Sequence, residues 1–335
     1  MRGKQKYLWG ALSALCTIII ILDSKTALSG AVSGIELCIK TVIPALFPFI
    51  FLTGIITGTF SEPLGKFFRP IGKLFKIPEG AETALILGFL GGYPIGAQAV
   101  ENLYHAGNLQ KSTAQRMLSF CNNPGPSFIF GMVGCMFHSL IIPWLIWCII
   151  LFGSLLTALL QPSVVQSGFH TSMIQKTFSI ETSIKAIAKI CGWVVIFRIF
   201  IAVLSRWIFW ILPADAAIVI SGLLELTNGC ALLMQFQNAL FRFCCATALL
   251  SLGGICVAMQ TADVAGNLMT KQYFLGKCFQ TALSIPLSYI IALFIFSKPA
   301  STKGLVISGI SLCFAILTGC LLYKNSTGNS QQDSI

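Results

Sequence analysis

The sequence predicts an all-α polytopic membrane protein, with about eight transmembrane helices plus two re-entrant helical hairpins arranged as inverted repeats. Three observations lead there. The 335 residues are 56% hydrophobic and only 10% charged, too little polar surface for a soluble domain of this length. Apolar stretches near the roughly 20 residues that a helix needs to cross a bilayer recur along the chain. Two further apolar segments are short and broken midway by helix-unfriendly residues, and each precedes a longer apolar span that is broken too.

The long stretches are Tyr7–Leu22, Ile35–Phe60, Met117–Phe137, Leu140–Leu160, Ala186–Leu212, Ala239–Thr261, Cys278–Phe296 and Leu305–Tyr323. Arg2, Lys4 and Lys6 place the N-terminus in the cytoplasm by the positive-inside rule. The same basic start followed by Ala27-Leu28-Ser29 also fits a cleaved signal peptide, which would leave the later orientation unchanged. Ile35–Phe60 returns the chain to a cytoplasmic loop carrying Lys66, Arg69, Lys73 and Lys76. In Leu64–Ile77 the residues Leu64, Phe67, Phe68, Ile71, Leu74 and Phe75 share one helical face, so this segment is expected along the inner leaflet. Glu36 and Lys40, one turn apart, form an i, i+4 pair.

Thr83–Tyr104 has two arms of about ten residues, roughly 15 Å each at 1.5 Å per residue, which is half a bilayer. It is expected to enter and turn back, which keeps Lys111 and Arg116 cytoplasmic. Two crossings then place Lys176, Lys185 and Lys189 inside, and Ala186–Leu212 emerges outside. Ala216–Phe236 is the second pair of half-length arms, entering from the opposite face. Ala239–Thr261 returns inward, leaving Lys271 and Lys277 cytoplasmic, and the last two spans bring Lys324 back inside. The expected organisation is an N-terminal peripheral helix (1–30), a first repeat (31–160, hairpin 83–104) and a cytoplasmic linker (161–185), then a second repeat (186–297, hairpin 216–236) and a C-terminal helix with its tail (298–335). Both termini are expected in the cytoplasm.

A net charge of +11 raises nucleic acid as a partner, but the basic residues sit in short loops between spans, so none is expected. The 13 cysteines contain no C-x-x-C pair and read as small apolar packing residues. His105, His138 and His170 are scattered, and neither a Ser/His/acid spacing nor a phosphate-binding loop appears, so no enzyme is expected.

The broken segments supply the candidate site, because unwound backbone at membrane depth survives only where protein or a wet cavity satisfies it. At the first hairpin tip, Gly91, Gly92 and Gly96 permit unusual backbone or close approach, while Pro94 stops the helix and Tyr93 lies between. The tip offers N–H groups to an anionic oxygen, with Gln98 one turn on as an amide donor; a tight packing turn is the plain alternative. Asn122 and Asn123 precede Pro124-Gly125-Pro126, after which Ser127 opens a new half-helix; the amides offer donors and acceptors without charge, or else hold a kink. Glu225, beside Thr227 and Asn228, is an acid in an apolar segment, suited to binding H+ or Na+ or to holding the hairpin shut through exposed N–H groups. Arg198, near the middle of its span, needs a partner: Glu225, a carboxylate solute, or the interface by snorkelling. Arg206 and Arg242, nearer span ends, are expected to snorkel. Gly253-Gly254 and Gln260 give the second broken span a flexible point and an amide, or a helix contact.

The strings GGYPIGAQ, SFCNNPGPSFIFG, GLLELTNG and GGICVAMQ, in that order, resemble the YlbJ/SpoVV family of sporulation integral membrane proteins, within the Gate-domain or nucleoside-recognition-domain group. The resemblance spans roughly Ile35–Phe296. It implies an architecture similar to concentrative nucleoside transporters, whose two hairpins and two unwound helices enclose substrate. It further implies export of dipicolinate, a small aromatic diacid, from the mother cell during sporulation. The residues leave open a transporter of nucleoside-like solutes and a membrane scaffold that carries nothing. No cofactor is expected beyond a coupling Na+ or H+; homo-oligomerisation stands on analogy alone.

Overall fold

A computed structural model describes residues 2–162 and 180–332, and every regular element among them is helical. Helix α1 (Arg2–Leu22) ends at Asp23, and α2 (Ser24–Leu37) runs through a π-turn at Cys38–Val42 into α3 (Ile43–Leu74). The first hairpin has α4 (Glu82–Ile86), extended by a π-turn to Gly91, and α5 (Ile95–His105). A broken segment follows: α6 (Lys111–Cys121), an unwound stretch, then α7 (Pro126–Phe128), a π-turn and α8 (Gly134–Phe137). The continuous helices α9 (Ile141–Leu160) and α10 (Ile180–Trp207) come next. The second hairpin is α11 (Ala214–Leu224) and α12 (Leu226–Leu233); the second broken segment is α13 (Ala239–Leu252) and α14 (Gly254–Ala265). Two long helices close the chain, α15 (Lys271–Ile295) and α16 (Thr302–Gln332).

Both halves thus show one order after their first long helix: paired short arms, a broken segment, a continuous helix. The arms are too short to cross a bilayer on their own. In each hairpin they meet at a glycine pair. A Cβ on Gly96 would lie 2.7 Å from the Gly88 Cα, and one on Gly229 would overlap the Gly222 Cα. Both Gly88 and Gly96 also press on the Cys121 carbonyl, where α6 stops. Gly96→Val should therefore drive the first hairpin off α6. The expected result is a lowered thermal midpoint and maleimide labelling of Cys121, otherwise fully buried, read by peptide mass spectrometry. Unchanged labelling would show that the arms have room to spare.

Six helices among the described residues are long and apolar enough to cross a membrane: Ser24–Ile56, Ile141–Leu160, Ile180–Trp207, Ala239–Leu268, Lys271–Ile295 and Thr302–Thr327. Two of the eight expected spans are not among these: α1 contributes the shorter apolar piece Ser13–Leu22, and Met117–Phe137 is interrupted. Residues 24–34 belong to α2, packed on α10 with Gly30 against the Arg198 carbonyl. The linker expected at 161–185 lies mostly outside the described residues.

The segment expected to lie flat on the inner leaflet instead continues α3 to Leu74. Its apolar residues divide: Phe67 is 76% exposed, whereas Phe75 and Ile77 enter the core. Arg69 explains the docking, because its guanidinium donates to Glu82 Oε1 (2.5 Å), the buried first residue of α4. Glu36 and Lys40 pair as expected, at 3.3 Å. Arg206 and Arg242, expected to snorkel, have partners within the protein. Arg206 pairs with Asp23 (3.0 Å) and donates to Thr26, and Arg242 donates to the Met136 carbonyl while lying over the Phe137 ring.

Arg116, expected in a loop, is instead buried within α6. It donates to the carbonyls of Phe75, Lys76 and Ala158, at 2.9 Å each. Those oxygens belong to the ends of α3 and α9, where helices leave carbonyls unpaired and where positive charge is favourable.

Candidate functional site

The four breaks meet. One cleft is lined by Gly92 and Tyr93 from the first tip, Gly125 and Phe128 from the first broken segment, and Glu225, Leu226 and Thr227 from the second tip. Val257 and Gln260 come from the second broken segment, and α3 and α10 complete the wall with Leu46, Ile190 and Val194. About 410 Å³ lies between these walls, partly open, but only roughly two or three water positions fit clear of the side chains. Any larger occupant needs the tips to part.

Each tip touches the break of its own half. Gly92, at φ +80°, sits so close to Gly125 that a Cβ would fall 2.6 Å from its nitrogen. Gly254, at φ +74°, likewise faces the Leu223 carbonyl, 3.0 Å from its Cβ position. Only glycine combines a positive φ with such approach. Pro94 caps α5, whose first amides, Ile95 and Gly96, already donate to the Gly92 carbonyl. The Tyr93 hydroxyl is buried without a partner in this cleft wall.

Glu225 is the N-cap of α12 and only 2% exposed. Its oxygens accept from the Thr227 N–H (2.9 Å) and the Asn228 N–H (2.6 Å), so the carboxylate neutralises the positive end of that helix. The contact is a local cap within the second tip. Arg198 does not reach Glu225; it donates to Asn228 Oδ1 and to Ser33 Oγ (3.0 Å). Arg198 thereby ties α2, α10 and the second tip together, and neither it nor Asn228 lines the cleft.

Several expected residues fall elsewhere. Gln98 is exposed, with its amide toward Glu101 (3.5 Å). Gly91 and Gly96 serve packing, against the Ile95 side chain and the Cys121 carbonyl. Ser127 is buried next to the cleft residue Phe128 but has no partner for its hydroxyl. Gly253, at φ +86°, ends α13, and Gln260 faces the cleft with its amide on Cys256 Sγ (3.3 Å).

The two asparagines face away from the cleft, into a polar seam between helices. Asn122 donates to Thr261 Oγ1 (2.8 Å), joining the first broken segment to the second. Asn123 donates to the Phe120 carbonyl (2.6 Å) and to Ser154 Oγ (3.2 Å), and accepts from Lys277 Nζ (3.0 Å) and Gln280 Nε2 (2.8 Å). Lys277, expected in a cytoplasmic loop, is thus buried inside α15 at 3% exposure. The apolar stretch taken to begin at Cys278 misses the first turns of this helix, which starts at Lys271. A signal was present: Tyr273, Lys277, Gln280, Ser284 and Ser288 follow i, i+3/i+4 spacing and give α15 one polar face.

No protein-family model matches the chain, and no solved structure does. The chain is similar to the sporulation integral membrane protein YlbJ of Bacillus subtilis (strain 168), 22% identical in an alignment 320 residues long that covers 79% of this chain and 77% of that protein. Six apolar helices and this likeness together describe a multi-pass membrane protein similar to a sporulation membrane protein.

Proposed function

We propose that the protein is a transporter which holds a small planar solute between its two hairpins and exposes it alternately to each side of the membrane. The observation carrying this reading is the convergence of four breaks from two similarly ordered halves on one narrow cleft. In this reading the chain crosses eight times, the hairpins re-enter from opposite faces, and both termini lie in the cytoplasm. Dipicolinate leaving the mother cell is the candidate solute, from the resemblance to the YlbJ/SpoVV family and its Gate-domain architecture.

The cleft chemistry constrains that choice. Among the described residues lining it there is no lysine or arginine, and the one carboxylate, Glu225, is engaged by α12 amides. A diacid would meet the Tyr93 hydroxyl and the Gln260 amide rather than a fixed cation. Uptake into vesicles containing the purified protein separates the readings: saturable dipicolinate uptake that uridine does not inhibit supports export of the diacid. Uridine uptake instead would assign a nucleoside-like solute, and uptake of neither would favour a membrane scaffold.

A further inference from the structure

Lys277 is a buried ammonium paired with no carboxylate among the described residues. Its Nζ donates to two neutral oxygens, Asn123 Oδ1 (3.0 Å) and Gln280 Oε1 (3.1 Å). Gln280 in turn donates to the same Asn123 oxygen and to the Ile150 carbonyl (3.0 Å), so the head group sits where α6, α9 and α15 meet. A charge in a low-dielectric interior is normally retained by an opposite charge. Here the compensation is an amide oxygen on the unwound segment between α6 and α7, two residues before Gly125, which touches the first hairpin tip.

Two side-chain amide oxygens, one of them on the helix break itself, thus hold the buried ammonium. We propose that Lys277 is the coupling group of this protein, a cation tethered at the helix break that gains and loses one proton as the segment 122–125 closes and opens. The reaction is protonation alone: water delivers H+ to the neutral Nζ, and the ammonium then donates to Asn123 and Gln280; release returns H+ to water and leaves Asn123 Oδ1 with Gln280 Nε2 as its remaining donor. Of the two oxygens only Asn123 Oδ1 lies on that segment, so opening it removes one of the two acceptors of the ammonium.

Few groups compete for that proton. From α6 the facing titratable group is the Cys121 thiol, with Arg116 further along the same helix. From α9 the seam receives Ser154, from α13 Ser251, and from α16 Ser326. Tyr273, one turn earlier on α15, is bound to Asn122 (3.4 Å).

That this proton serves solute movement rests on the transport reading; the proton's hold on the backbone does not, and it is tested without any solute. Amide hydrogen exchange across 119–127 is measured on the purified full-length protein in nanodiscs between pH 5 and 9, corrected for intrinsic exchange, in NaCl and in KCl. The expected result is about tenfold slower exchange below a single step in pH, the same in both salts. Lys277→Met should abolish the step, and Lys277→Arg, which stays charged, should hold the slow rate throughout, with Lys189→Met as an exposed control. No step in the wild type, a step surviving in Lys277→Met, or protection that needs sodium would each overturn the proposal. Loss of dipicolinate uptake with the step intact would count against the transport reading alone.

Discussion

Replacing Arg116 with leucine should destabilise the protein more than any other single change in its core. The side chain satisfies the carbonyls of Phe75, Lys76 and Ala158; leucine would take this donor from all of them, and only Ala158 would keep another, the Gln161 N–H (3.3 Å). Each orphaned acceptor costs on the order of 1–3 kcal/mol, so the loss at Phe75 and Lys76 reaches about 2 kcal/mol or more. Lysine should recover only part of this, because a single ammonium cannot reproduce the guanidinium fork that spans α3 and α9. The check is the thermal midpoint of purified wild type, Arg116→Lys and Arg116→Leu in one detergent, with that order of stability expected. A leucine variant as stable as the wild type would mean that water reaches those carbonyls.

Glu225→Ala should have the largest effect on the cleft. It removes both acceptors that hold the α12 amides, a loss of about 0.5–2 kcal/mol for a helix cap, concentrated at the second tip. If the closed tip is a state that the transport cycle must visit, shifting it by about 1.4 kcal/mol changes its population tenfold. Dipicolinate uptake by vesicles should then fall by about that factor, with Glu225→Gln intermediate because one oxygen still accepts. Uptake unchanged in Glu225→Ala would reduce the residue to a local cap.

The breaks were legible in the sequence because their chemistry is local. Gly92 and Pro94, Asn122 to Pro126, Glu225 and Gly253 stop helices through their own backbone preferences, and the helices stop there. The half-length arms followed from counting residues between breaks. What could not be read was the fate of cations placed by a loop-charge rule. That rule assigns Lys and Arg to a side of the membrane and says nothing of a basic residue satisfied by distant partners. Lys277 bonds Asn123 across 154 positions, and Arg116 bonds backbone carbonyls that have no residue signature. The asparagines were identified as functional from their place at a break, yet a break has two sides, and theirs faces α15 rather than the cleft. Neither could the glycine crossings be assigned: Gly88 and Gly222 look like any other apolar-segment glycine until the opposing arm is in place.

The three π-turns among the described residues all fall in the first half of the chain, at Cys38–Val42, Leu87–Gly91 and Ile129–Val133, and each contains or directly adjoins a cleft residue, Val42, Gly92 or Phe128. A π-turn accommodates one residue more than the α-helical turn it replaces. Each therefore advances the numbering by one position relative to the geometry, and each α-helical residue is worth about 100° of rotation. Two copies that began in step would lose phase at every such turn. For halves that were copies of one unit, a residue-by-residue alignment would have to open a gap at each of these places before equivalent faces coincided, and a gapless comparison would score such a kinship as noise.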